Sequence, residues 1–237
     1  MKKIMRLFVV SCSLYTIHYT LFTAAANAAE WDVEDPLYFA RARDLALTGG
    51  LRLGDSILGA DLRAAYGVND LFVIGGNVKL QYDFDRDRKY DGFSHIGVDV
   101  MYRMSEGPII ADAFMGVKFS GNAEPAFSDT IYMTGFRIGH QWSWVTLAGL
   151  LKTSWIFDEA HGMAWINLVP EAYFKLGEGW RIGTWFDFQK ATSPHFDEET
   201  IGFKLVRQYG RTQYVGFVSY GFEQQDWRVG GRVNIVF

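Results

Sequence analysis

The chain reads as an all-β protein: an antiparallel up-and-down transmembrane β-barrel of about twelve strands, with ten as the alternative count. Three observations predict this. First, the last eleven residues alternate strictly, with Trp227, Val229, Gly231, Val233, Ile235 and Phe237 on one side and Arg228, Gly230, Arg232, Asn234 and Val236 on the other. Period two over this length is a strand pattern, not a helix pattern. An arginine facing lipid near mid-membrane costs about 2–4 kcal/mol, so Arg228 and Arg232 belong on a wet inner face and the aromatic-bounded side belongs in lipid. Second, the breaks between strands alternate in length. Val68-Asn69-Asp70, Glu106-Gly107-Pro108, Gly177-Glu178-Gly179 and Gly210-Arg211 are tight turns, and between them fall the longer polar segments 85–92, 121–129, 158–162 and 191–199. Short turns at one end and longer loops at the other are a barrel asymmetry. Third, the chain is 16% aromatic with 25 glycines and a mean hydropathy near zero, and no run of about 18 apolar residues follows its N-terminal segment. A soluble binding barrel also alternates, with its apolar side inward; the terminal aromatic, the N-terminal segment and the loop asymmetry weigh against that inversion.

The strands follow in order at about 44–54, 58–67, 71–83, 93–104, 109–119, 130–140, 143–156, 163–175, 180–189, 200–209, 212–222 and 227–237. Most have the roughly 9–11 residues of a tilted transmembrane strand. Pro170 falls inside the eighth and predicts a bulge, because proline cannot donate to a ladder. The first strand is short and glycine-rich, which is where a ten-strand count would enter. Arg207 lands on the lipid side, tolerable near the membrane interface.

Ahead of the barrel, Lys2, Lys3 and Arg6, the apolar run 7–23 and the Ala26-Asn27-Ala28 site have the layout of a secretory signal. Residues 1–28 are therefore expected to be cleaved; a retained anchor and lipid attachment at Cys12 are the alternatives. Cys12 is the sole cysteine, so disulfides, thiolate chemistry and cysteine metal sites are excluded from the mature chain. Residues 29–42 are acidic and contain Pro36. They read as a periplasmic lead-in, or as a segment folded into the barrel mouth. Residues 43–237 form the barrel. The net charge of −4 argues against a nucleic-acid partner.

The candidate functional residues are the charges on the predicted inner face. Arg52, Arg63, Lys79, Arg103, Lys118, Arg137, Lys152, Lys175, Arg181, Lys204, Arg228 and Arg232 outnumber Asp61, Asp83, Asp99, Asp112, Glu171 and Asp187 two to one. These residues are candidates to line a pore, and a positive lumen lowers the barrier to anions. The expectation is a passive channel for small solutes with mild anion preference. The alternatives are a non-conducting structural or surface-interaction barrel, in which Arg–Asp pairs plug the lumen, and a lipid-modifying enzyme.

No catalytic residues, metal or cofactor are assigned. A hydroxyl nucleophile needs a histidine within hydrogen-bond reach, itself oriented by a third group. Of His95, His140, His161 and His195, only the last two fall in outer loops, beside Asp158 and Ser193. Asp83, Asp85, Asp87 and Asp91 lack the glycine and glutamate of a calcium loop. His195, Asp197, Glu198 and Glu199 read as a charged exposed loop.

The C-terminal Phe237 resembles the closing residue of bacterial outer-membrane β-barrels, where it is an assembly signal. The run LGADLRAAYGVNDLFVIGGNVKLQYDF (58–84), followed by DGFSHIGVDVMYRM (91–104), is similar to the phenol-degradation-pathway outer-membrane family, with Ser94-His95 where Gly-Asp is typical. The resemblance implies a Gram-negative outer-membrane, porin-like channel for small, often aromatic solutes. Such a protein works as a monomer among membrane lipids and lipopolysaccharide and meets the barrel-assembly machinery through its last strand.

Overall fold

The computed structural model describes residues 31–55, 57–84, 92–121, 130–156, 163–192 and 197–237. The proposed signal and most of the longer loops, with His161, His195, Asp85, Asp87 and Asp91, lie outside the described residues. The strands are β1 (Leu45–Leu53), β2 (Ile57–Asn69), β3 (Phe72–Asp83), β4 (Gly92–Glu106), β5 (Ile110–Ser120), β6 (Thr130–Gln141), β7 (Val145–Ile156), β8 (Met163–Gly177), β9 (Trp180–Ala191), β10 (Glu198–Tyr209), β11 (Thr212–Gly221) and β12 (Asp226–Val236). Each pairs with its sequence neighbours, and β1 also pairs with β12, so the sheet is a closed twelve-strand barrel. The ten-strand alternative falls, because β1 and β2 are full members of the ring.

The period-two pattern sets the faces. Leu62, Met115 and Trp227 are 60%, 65% and 60% exposed, whereas Asp112, Tyr173 and Arg181 are 0–2% exposed inside. A soluble protein rarely exposes contiguous apolar surface on this scale. The barrel is inside-out relative to one that dissolves in water, and closure satisfies every strand edge, as a bilayer demands.

Turn chemistry fixes the short connections. The Asn69 side chain accepts 2.8 Å bonds from the N–H groups of Leu71 and Phe72. Gly177, Glu178 and Gly179 all take positive φ, two of them glycines for which that region is strain-free. The bulge expected at Pro170 is absent. On the β7 side Pro170 pairs with Gly149, and the ladder to β9 omits Val169 and Pro170 before resuming at Glu171 in unchanged register. The missing N–H costs local hydrogen bonds without adding a residue, and the register shift of this hairpin falls at Lys175/Gly177 instead.

Inward aromatics lie flat over glycines of neighbouring strands. A Cβ on Gly202 would stand 2.0 Å from the Trp185 indole, one on Gly230 2.4 Å from the Phe217 ring, and one on Gly135 2.7 Å from Phe114. These large side chains thereby lie against the wall.

Candidate functional site

The end of the lumen nearest the tight turns is filled by residues 31–44, which run inside the barrel before entering β1. Three carboxylates of this segment meet cations, amides and hydroxyls from seven strands, β6 to β12. Asp32 is buried and accepts bonds from Tyr173 Oη (2.8 Å), Gln213 Nε2 (2.6 Å) and Arg181 Nε (3.3 Å). Glu34 sits 2.8 Å from Arg232 Nε and 3.4 Å from Lys204 Nζ, and accepts 2.9 Å from Asn234 Nδ2. Asp35 holds Lys175 Nζ at 3.1 Å, Thr146 Oγ1 at 2.7 Å and Gln141 Nε2 at 2.9 Å. The segment's backbone is held as well. Lys204 Nζ donates to the Glu34 carbonyl (2.7 Å), Arg103 Nη2 to Leu37 (3.1 Å) and Arg137 Nη2 to Tyr38 (2.9 Å). Phe39 lies under the Arg103 guanidinium at 4.3 Å, and Trp31 under Arg211 at 4.2 Å. At its exit the segment crosses Gly67, where a Cβ would stand 1.8 Å from the Arg41 carbonyl oxygen.

Two of the segment's buried acids respond differently to this setting. Burial pushes the Asp32 carboxyl above its ordinary value, with neighbouring Asp35 adding to the rise and Tyr173, Arg181 and Gln213 opposing it. Burial works the same way on Glu34, but Lys204, Arg232 and Asn234 outweigh it and hold that carboxyl below the ordinary range.

These contacts account for much of the inner-face basic surplus. Arg181 is on Asp32, Lys175 on Asp35, Arg232 on Glu34, and Lys204 on both Glu34 and Glu171 (2.6 Å). Asp112 is shared between Arg103 Nε (2.5 Å) and Arg137 Nε (2.8 Å). Nearer the far mouth, Arg228 is on Asp226 and Glu198, both at 2.9 Å, and Arg63 is on Asp99 at 3.3 Å. Asp187 accepts 2.8 Å from Asn167 Nδ2. Arg52, Lys79, Lys118 and Lys152 have no ion pair within 4.0 Å among the described residues.

Those free cations border open space. A cavity of about 480 Å³ has Pro36, Tyr38 and Phe39 of the segment in its lining and takes Lys79, His95 and Lys118 from the wall. A second, of about 310 Å³, lies between Lys118, Lys152, Asp99 and Glu171. At the far mouth Arg52, Lys79, Asp226 and Arg228 surround about 750 Å³. The lumen is thus neutralised where the segment sits and richer in bases than acids around the two cavities beside it, while the far mouth sets Arg52, Lys79 and Arg228 against Asp55, Glu198 and Asp226.

Acidity in residues 29–42 is visible in the sequence, but its pairing with specific lumen cations is not, nor are the uncharged partners Tyr173, Gln213, Asn234 and Thr146. The signal available was the density of acids just ahead of a barrel whose inner face has too many bases. His140 is on the outer face with its ring 4.0 Å from Trp142. No cluster of metal-ligating side chains occurs among the described residues. Asp197 is engaged by Ala191 N (2.9 Å) and Lys190 Nζ (3.0 Å), and Glu198 by Arg228.

No family model and no curated protein matches the chain. Solved structures do. The KdgM porin in complex with disordered oligogalacturonate aligns at 14% identity and TM-score 0.62, over 81% of this chain and 99% of its own. The NanC porin aligns at 12% and 0.63, over 81% and 98%. An outer-membrane channel from Pseudomonas putida F1 aligns at 12% and 0.55, over 84% and 97%. The fold of this chain is that of the bacterial outer-membrane β-barrel porins.

Proposed function

We propose that this barrel sits in the bacterial outer membrane and passes small solutes by diffusion, with a preference for anions, through a lumen narrowed by residues 31–44. The observation that carries the reading is the set of cations without an ion pair among the described residues, Lys79, Lys118 and Lys152, around open cavities directly above the segment. Cations without protein partners need water or anions, and a positive constriction raises the barrier to cations. Twelve strands enclose more than the eight that side chains can fill. The fold shared with porins supports the same reading.

One observation favours a second reading. The segment is fixed by buried pairs on every side, as in a barrel that stays closed. Planar-bilayer recording of the refolded protein separates the two. A steady, anion-selective conductance supports the channel, and it should rise when Asp32→Asn and Glu34→Gln loosen the segment. Electrical silence in both proteins removes the channel reading.

A further inference from the structure

On the lipid-facing side, two neighbouring register rows cross the seam where β12 meets β1. One runs Leu205, Gly216, Gly231, Leu51. The next runs Arg207, Tyr214, Val233, Gly49. Gly216, Gly231 and Gly49 have no side chains to fill the outer surface, and the result is an apolar recess of about 850 Å³. The recess is inclined to the membrane. Arg207 stands next but one to the tight-turn end of β10 at Tyr209, whereas Leu62, paired with Gly49, stands in the middle of β2. It therefore starts at one membrane interface and climbs toward the bilayer centre.

At its low end is an outward-facing cation. The Arg207 guanidinium lies 4.9 Å from the Trp180 ring and 4.6 Å from the Tyr209 ring. It donates one bond, from Nη1 to the Glu178 carbonyl, and its Nε is buried with no hydrogen-bond partner among the described residues. Aromatic rings of this kind mark headgroup depth. A planar guanidinium suits a phosphate, and Nη2 of Arg207 makes no hydrogen bond among the described residues.

We propose that this groove binds one phospholipid of the periplasmic leaflet, its phosphodiester on Arg207 and one acyl chain along the Gly216–Gly231–Gly49 recess. Charge complementarity at the foot of the groove and its climb into the apolar layer together select that occupant. The proposal rests on the membrane placement given above.

The test is native mass spectrometry of the detergent-purified barrel with dioleoyl phosphatidylglycerol, with phosphate-free diacylglycerol and inorganic phosphate as separate arms. One retained phosphatidylglycerol per barrel is expected, with neither half-ligand retained. Arg207→Gln should weaken retention about tenfold by removing a charge-assisted bond. Gly216→Leu should do the same by filling the recess, at a position where an added Cβ meets nothing within 4 Å. Both variants should keep the wild-type conductance. Equal retention by wild type and variants, diacylglycerol bound as well as phosphatidylglycerol, or a dimer mass in place of a lipid adduct overturns the site. Conductance without retained lipid sinks this proposal alone, whereas failure to insert into bilayers sinks the membrane placement beneath it.

Discussion

Asp32 and Arg181 lie 149 residues apart in the chain and meet inside the barrel, Arg181 Nε 3.3 Å from Asp32 Oδ2. Removing one partner of a buried ion pair costs about 3–5 kcal/mol, because the other charge stays buried alone. Asp32→Ala leaves the Arg181 guanidinium and the Tyr173 hydroxyl without their acceptor. The expected outcome is a lower thermal midpoint and faster tryptic cleavage at Arg41 and Arg43 as the segment loosens. Wild-type protection in this variant would show that Asp32 is no anchor.

Acid should act on the same segment through Glu34. Its folded-state carboxyl lies below the ordinary value of 4.5, so its stabilisation is fully present above pH 4.5 and is lost as pH falls through the lower, folded value. Asp32 is raised above 3.8 and has the opposite sign, so docking gains as that group takes up its proton. Thermal midpoints measured downward from neutral pH should therefore rise as Asp32 takes up its proton, and the loss through Glu34 should set in only below pH 4.5. Glu34→Gln should shrink that acid limb, and an identical pH profile in the variant would contradict the assignment.

Selectivity should depend on the cations that border open space. Lys118→Gln combined with Lys152→Gln should move the reversal potential in a salt gradient toward the cation limit. No shift would mean that permeating ions do not sense this wall. Arg232→Gln frees one side of Glu34 and should register as a larger conductance.

The aromatics laid over glycines give a further check. At Gly202 an added methyl collides with the Trp185 indole at 2.0 Å, so Gly202→Ala should tip that ring off the wall and lower the conductance. At Gly149 a Cβ meets nothing within 4 Å, and Gly149→Ala should leave conductance and thermal midpoint unchanged. Equal behaviour of the two variants would refute the flattened arrangement.

The strands and their faces were legible because lipid and water impose opposite chemistry on alternate residues. Arg228 and Val229 cannot trade places. Pro170 misled because its sequence signature says only that an N–H is missing. The sheet tolerates that loss by omitting ladder bonds and keeping its register. Turn positions were close: β2 runs on through Val68 and Asn69, since the Asn69 side chain caps the turn from inside the strand. In the lumen, residue type located the cations but not their partners. Arg228 and Arg232, the pair the last strand displays, are both engaged by acids, while Lys79, Lys118 and Lys152 have no ion pair among the described residues. Which acid reaches which base depends on a segment entering the barrel from its end, and no periodicity encodes that.

The backbone of Phe237 exchanges hydrogen bonds with Leu45, at 2.9 and 3.3 Å, and Glu34 is gripped by Arg232 and Asn234 of the final strand. Residues 31–44 run into the first strand and are held in part by the last, so stoppering the cylinder and zipping its seam share Arg232 and Asn234 of β12. A truncated translation product lacking its final strand has no closed ring and leaves Glu34 without Arg232 and Asn234. Contacts spanning nearly the whole polypeptide also make maturation slow, and a chain stalled at that stage presents two raw strand edges to whatever lies nearby.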